Sequence, residues 1–317
     1  MRILIGAALL AVGVNAAAQG YPANSVRIVV PFPPGGGNDS MGRILAQKLT
    51  ESFGKQFVID NRGGANGMIG SEMVAKAPKD GYTLLVNGAN FVTSPSLYAK
   101  PLYDPIAQFD PISLLAFAPN VLVVHPSVPA KSVKELIALA KAKPGNIGFA
   151  GSGSGSTPHL AGELFKTMTG ADMIHVPYRG TGPAITGLVS GEVTTMFMPS
   201  LTAVSLINGG RVRGLAVTSR ERLPALPKLP TVSEAGLKGY ESSQWYGFLA
   251  PAGTPPDILE ALSSHTMKVM QTAEMKERME KSGSVAVGST REAFAKHLAS
   301  EFQKWAKVIK ASGATAN

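Results

Sequence analysis

The chain has 317 residues, of which 44 % are hydrophobic and none is cysteine, with 30 Lys+Arg against 21 Asp+Glu for a formal net charge of +9. Without cysteine, disulfides and thiolate chemistry are excluded, and stability has to come from an ordinary hydrophobic core, which a chain of this length can supply. The basic residues are scattered, with no five-residue cluster and no interleaved aromatics, so a nucleic-acid surface is excluded; small anionic ligands and a merely solvated basic surface both fit the charge.

The N-terminus reads as a secretory signal peptide over residues 1–18. Arg2 precedes an apolar run from Ile3 to Val14 and then Ala16-Ala17-Ala18, which predicts cleavage near Ala18. The apolar run is short for a membrane anchor, and nothing further along reaches spanning length. Export of a soluble chain is therefore expected. Residues 19–317 carry a net charge of +8 and are numerous enough for two domains of ~150 residues each.

The first element after the leader is a β-branched strand, SVRIVV (25–30), stopped by PFPPGGGND. A helix follows, with Ile44, Leu45 and Leu49 at helical spacing and Gly54 as its stop, and then the strand QFVID. Strand, glycine loop, helix, strand is the order of a βαβ unit with parallel strands. The same order recurs as NIGFA (146–150), GSGSGSTP, a helix to Gly170 and MIHVPY (173–178), so the chain carries two copies of one plan.

Between the copies an apolar strand leads into a helix capped by Ser132, with Glu135 completing a capping box. That strand is expected to cross between lobes, with a return near 246–262. Two helices, Pro256 to Lys281 and Thr290 to Ala311, finish the chain. The fold class is α/β with two lobes, 25–124 plus 246–317 and 125–245, joined by two crossings around a cleft. Glycine loops at the carboxyl ends of parallel strands are where such sheets bind ligands.

Both loops open helices, so their backbone N–H groups favour an anion, with Asp39 or Ser40 as the expected N-cap of the first. A plain strand-to-helix turn explains the glycines equally well. Neither loop completes G-x-G-x-x-G, and neither has the lysine of a P-loop. Ser154, Ser156 and His159 raise an exported Ser/His hydrolase, but G-x-S-x-G is absent and His159 lies in the first helical turn, where the dipole disfavours an imidazolium. The better use of His159 is a neutral ring that donates to a carboxylate, or a structural role.

The five histidines show no metal-ligand spacing, and only His159 and Glu163 share a helix face; no metal, cofactor or catalytic residue is assigned. Phe32, Phe91, Met198, Trp245 and Tyr246 are either core or apolar cleft material.

Six segments in order and spacing carry a resemblance over essentially the whole chain after the leader: VVPFPPGGGNDSMGRILAQKL, FVIDNRGGANGMIGSEMVAKAPKDGYTLL, IGFAGSGSGSTPHLAGELF, HVPYRGTGPAITGLVSGEV, LAVTSRERLPALPKLPTVSEAG and WYGFLAPAGTP. The sequence resembles the extracytoplasmic receptors of tripartite tricarboxylate transporters, the Bug-type binding proteins. The resemblance implies a monomeric, type II-like periplasmic binding protein that captures an organic acid and delivers it to membrane transporter subunits; a sensor for a membrane signalling partner is the alternative. It implies that Gly35, Gly36, Gly37, Asn38 and Asp39 grip a carboxylate from one lobe. Ser152, Ser154, Ser156, Thr157 and His159 would do so from the other, with Phe32 and the segment Asn87 to Thr93, Asn90 and Phe91 included, lining the cleft. The chain departs from the family's usual M-F-D-N by placing Met198 where an acid stands. A cleft-facing Met198 implies a less polar ligand, a di- or aromatic carboxylate rather than an amino acid.

Overall fold

The computed structural model describes residues 20–315 other than Ser154 and Arg179. The predicted signal peptide lies outside the described residues, as does one of the candidate site residues named above, Ser154.

In the first copy β1 (Val26–Val30) has Ile28, Val29 and Val30 fully buried, as expected of a strand covered on both faces. The chain turns through the glycine loop into α1 (Gly37–Phe53), which ends at Gly54 in the left-handed region, φ 67°, with its N–H donating to Thr50 O. β2 (Phe57–Asn61) returns parallel to β1, with Phe57 opposite Val26. α2 (Met68–Ala75), β3 (Thr83–Gly88) and α3 (Asn90–Leu97) complete this half, β3 pairing parallel to β1.

A long strand, β4 (Phe109–Val124), leads to α4 (Val133–Ala142) and the second copy. Ser132 caps α4 by accepting from Glu135 N at 3.2 Å, while the Glu135 carboxylate reaches back to Lys131 N, one residue before the cap, at 2.8 Å. β5 (Ile147–Gly151), α5 (Thr157–Thr169) and β6 (Met173–Pro177) repeat β1-α1-β2, again with parallel strands and a left-handed glycine, Gly170 at φ 63°. The exits match as well: Arg62 N donates to Val30 O after β2, and Tyr178 N donates to Gly151 O after β6. α6 (Thr181–Ser190), β7 (Thr195–Pro199), α7 (Ser200–Asn208) and β8 (Arg213–Val217) follow.

The return strand is β9 (Ser243–Pro251), followed by α8 (Pro256–Met270), α9 (Ala273–Lys281), β10 (Val285–Ala286) and α10 (Arg291–Ser312). The single helix expected from Pro256 to Lys281 is thus two. Thr272 breaks it by adopting an extended backbone and accepting from Met275 N as a new N-cap.

The sheet runs β2-β1-β3-β9-β4-β7-β5-β6. β4 pairs with β9 from Phe109 to Pro119 and with β7 from Asn120 onward, so it passes from one lobe to the other between Pro119 and Asn120. β9 makes the second crossing beside it, with Ser243 opposite Pro119. Both crossings fall a few residues ahead of the sequence-derived boundaries, since a continuous strand can change sheets without a composition break. Thr218 clamps the switch: its hydroxyl accepts from Asn120 N at 2.9 Å and donates to Asn120 O at 3.0 Å.

The C-terminal helix α10 packs against α3 of one lobe and α5 of the other. Its buried Glu301 accepts from Trp245 Nε1 of the crossing strand at 3.3 Å and from Trp305 Nε1 at 2.9 Å. A buried carboxylate is tolerable only with such partners, and here it ties the hinge to the helix.

Candidate functional site

The first jaw is the loop before α1. Gly35 has φ +91°, a conformation that costs an L side chain steric energy. The N-cap is Gly36 rather than Asp39 or Ser40, and Asp39 falls in the first turn. Its buried carboxylate closes the loop on itself: Oδ2 accepts from Gly35 N and Arg43 Nε, each at 2.9 Å, and Oδ1 accepts from Asn61 Nδ2 at 3.0 Å. The Arg43 hydrogen bond, joined by those from Gly35 and Asn61, holds Asp39 down to about 2 against the cost of burial. Asn61 Nδ2 also donates to Phe32 O at 3.0 Å, so β2 braces the loop from behind. No side chain caps α1, and its first residues Gly37 and Asn38 form cavity wall.

The second jaw is the loop before α5. Ser156 is its N-cap, accepting from His159 N at 3.4 Å. His159 Nδ1 in turn accepts from Gly155 N at 3.0 Å, which puts the proton of the neutral ring on Nε2, 3.9 Å from Glu163 Oε1. The ring stacks on His175 with centroids 3.9 Å apart. Burial first, and then the neighbouring His175, push His159 down to about 4, so the ring is neutral at physiological pH. His159 therefore shapes the loop instead of donating into the cleft. The Ser156 hydroxyl meets a backbone N–H rather than an imidazole nitrogen, so the nucleophile–base pair of a hydrolase is not assembled there.

The jaws meet at the crossing strand. Thr157 Oγ1 donates to Gln244 Oε1 of β9 at 2.9 Å, and the Tyr246 hydroxyl abuts Gly37, where a Cβ would lie 2.2 Å from it. This waist, with Pro158, separates two cavities between the lobes. A polar pocket of about 420 Å³ is walled by Gly37, Asn38, Asn66, Asn90, Ser152 and Ser156. Asn90 Nδ2 donates to Asn66 Oδ1 at 3.0 Å, and Asn38 Oδ1 is buried without a hydrogen-bond partner among the described residues. The N-termini of α1 and α5 enter this pocket from opposite lobes, and two positive dipole ends facing one cavity favour an anion. A larger chamber of about 470 Å³ lies on the other side of the waist, mostly apolar, against Met41, Ile44, Pro199 and Met279, with Asn120 and Arg278 in its wall.

Of the expected site residues, Gly37, Asn38, Asn90, Ser152, Ser156 and Thr157 are brought together in the polar pocket. Gly35, Gly36, Asp39 and His159 stand behind it as loop structure, and Phe32 packs toward Gly67. Phe91 is fully buried between Tyr103 and Phe109 and reaches neither cavity. Met198 is also fully buried, in the core of the second lobe opposite Val121, because β7 alternates and turns this side chain under the sheet. The expectation of a cleft-facing Met198 is corrected, and with it the argument for an aromatic acid. Asn66, Gln244, Asn120 and Arg278 were not anticipated. The alternation of SQWYG would have found Gln244, since Trp245 is core while Gln244 and Tyr246, on the opposite face of the strand, reach the cavities.

Residues 41–314 match the tripartite tricarboxylate transporter family receptor. The protein BugT of Bordetella pertussis is 36 % identical over 98 % of this chain and 97 % of its own length. The R. palustris protein Rpa4515, in a structure with adipate, is 37 % identical, with a TM-score of 0.78 over 93 % of this chain and 99 % of that one. MatC (Rpa3494) from Rhodopseudomonas palustris, with bound malate, is 29 % identical, with a TM-score of 0.75 over 91 % of this chain and 100 % of that one. The family consists of solute-binding receptors, not enzymes. The chain belongs to it: it is a Bug-type receptor of the tripartite tricarboxylate transporter family.

Proposed function

We propose that this periplasmic receptor binds a small organic carboxylate in the polar pocket and delivers it to the membrane subunits of a tripartite transporter. The observation that carries the reading is the convergence of the α1 and α5 N-termini, from opposite lobes, on one cavity. Backbone N–H groups of Gly37 and Asn38 on one side, and the Ser156–Thr157 turn on the other, supply the donors. The hydroxyl of Ser152 and the amides of Asn38, Asn66 and Asn90 complete the polar wall. A carboxylate between them touches both lobes only when they are closed, and that difference in affinity drives closure. The adipate and malate held by related proteins support the ligand class. With Met198 in the core the ground for an aromatic acid is gone, and the adipate and malate of the related proteins favour an aliphatic dicarboxylate.

The test is a thermal-shift screen across aliphatic mono-, di- and tricarboxylates, benzoates and acidic amino acids. At least one carboxylate raises the unfolding temperature in a concentration-dependent way, as a ligand bound only to the native state must. A flat response to every carboxylate contradicts the reading.

A further inference from the structure

We propose that the back of the hinge carries a second ligand site, for an uncharged, largely apolar ring compound, and that an occupant there holds the lobes closed and so tightens the grip on the carboxylate. The site stands on its own geometry, and its coupling to the cleft rests on the carboxylate-receptor reading above.

Neighbouring residues of a strand face opposite ways, and at the crossings this alternation separates front from back. Ala118 of β4 and Gln244 of β9, opposite each other in the register, line the apolar chamber at the front. Phe117 and Ser243, each one residue earlier, line a different cavity of about 370 Å³ behind the strands. Both lobes build it. Val285 of β10, Val287 just after it and His297 of α10 come from the first, and the loop 219–224 after β8 comes from the second. The apolar side chains here are incompletely covered: Phe117 and Val287 are partly buried, and Val285 is 43 % exposed. Apolar side chains of two lobes converging on a concavity of this volume have the make-up of a small-molecule site.

Closing a hinge at the front spreads it at the back. In this structure the front is shut: Ser200 Oγ of the second lobe donates to Gly283 O of the first, and Gly155 sits so close to Leu97 of the other lobe that a Cβ there would clash with its side chain. The rear cavity is thus the gap that accompanies closure, and opening of the lobes brings the loop 219–224 toward Val285 and Val287. A compound wedged there binds the closed form better than the open one. By linkage the rear ligand and the cleft ligand then strengthen each other by the same factor.

The charges set the class of the occupant. Arg220 Nε is paired with Glu241 Oε2 at 2.7 Å, and Arg222 Nε with Glu234 Oε2 at 2.9 Å. Glu221, also in the wall, forms no ion pair among the described residues, and the Ser219 hydroxyl already donates to Glu221 O at 2.7 Å. Burial pushes His297 down, so its ring adds no charge. The wall therefore offers no unpaired cation, and its unpaired Glu221 repels an anion, which excludes the carboxylate of the cleft. A neutral ring meets what remains, the surface of Phe117, Leu223 and the two valines.

The experiment titrates the wild-type protein and Val285→Asp with indole and cyclohexanol by saturation-transfer NMR. Calorimetry then measures the tightest-binding carboxylate of the screen with and without a saturating amount of the neutral compound. The wild type binds at least one of the two compounds, and its carboxylate affinity rises about fivefold or more in their presence. Val285 is exposed, so its replacement removes no packed side chain. In Val285→Asp the charge in the apolar wall abolishes binding of the neutral compound and leaves the carboxylate at the affinity it has alone. Three results each overturn the proposal and leave the carboxylate-receptor reading intact: neither compound binds, binding survives Val285→Asp, or carboxylate affinity stays the same or falls, as competition inside the cleft would make it. A wild type that holds a neutral compound, loses it in Val285→Asp and binds no carboxylate overturns that reading and the coupling with it, and keeps the site.

Discussion

Thr157 Oγ1 at the first turn of α5 donates to Gln244 Oε1 on β9 at 2.9 Å, a hydrogen bond between a jaw of the second lobe and a strand of the hinge. It fixes the position of the α5 N-terminus relative to the crossing strands, and it forms the partition between the two cavities.

Removing this bond while keeping the shape tests the partition. Thr157→Val leaves the Gln244 carbonyl without its donor and frees the α5 turn, so ligand affinity falls by about fivefold to a hundredfold, the equivalent of roughly 1 to 3 kcal/mol. Calorimetry with any carboxylate found to bind measures it, and an unchanged affinity refutes the role.

Asp39 acts inside its loop, so its removal is read in stability before it is read in binding. Asp39→Asn exchanges one carboxylate oxygen for a donor facing Arg43 Nε, Gly35 N or Asn61 Nδ2. The loss is about 1.5 to 3 kcal/mol of stability at neutral pH, as for hydrogen bonds to a buried charge. Denaturant unfolding of the ligand-free protein shows it, and Asp39→Asn with wild-type stability and selectively lost binding would make Asp39 a ligand contact instead.

The stacked histidines predict an acid-side loss of stability. Burial pushes His159 and His175 from 6.5 down to about 4, the neighbouring His175 adding to the effect for the first and Lys166 for the second. Between those values the unfolded chain binds more protons than the native one, so stability falls as pH falls from 6.5 toward 4 and is fully present above that window. Asp39, held down to about 2, contributes its own loss only at lower pH. Thermal unfolding across the window measures the slope. His159→Asn keeps an acceptor for Gly155 N and reduces the slope; an equal slope in that variant removes His159 from the account.

The waist is narrow because position 37 is glycine. A Cβ there would lie 2.2 Å from the Tyr246 hydroxyl and 3.1 Å from its ring carbon Cζ, so Gly37→Ala forces the largely buried ring toward the cavities. Overpacking of this kind costs roughly 1 to 3 kcal/mol, and here the cost appears mainly as about tenfold or weaker ligand binding. Affinity restored in the double variant Gly37→Ala with Tyr246→Phe identifies the hydroxyl contact as the cause.

The halves of the fold were legible wherever the chain punctuates itself. Gly54 and Gly170 stop their helices in the left-handed region, and the two strand-loop-helix-strand copies sit at matching places in the sheet. The α1 cap was misjudged because Asp39 looks like an N-cap, yet its side chain reaches back from the first turn to Gly35 N. Phe91 looks like a cleft residue beside Asn87-Gly88-Ala89-Asn90, and Met198 stands where the family's pattern has an acid, but strand and helix direction, which composition does not carry, turns both into the core. Gln244 and Asn120 were hidden for another reason. They belong to crossing strands, Gln244 standing 87 residues from the Thr157 it bonds, and the pairing of β4 with β9 brings them to the site.

The central claim, that two helix N-termini close on one carboxylate, is tested most directly by titrating the protein with the tightest-binding acid and with its primary amide of the same shape. The acid binds saturably at one site per chain, and the neutral amide binds at least about tenfold more weakly. Equal affinity for acid and amide would contradict the claim.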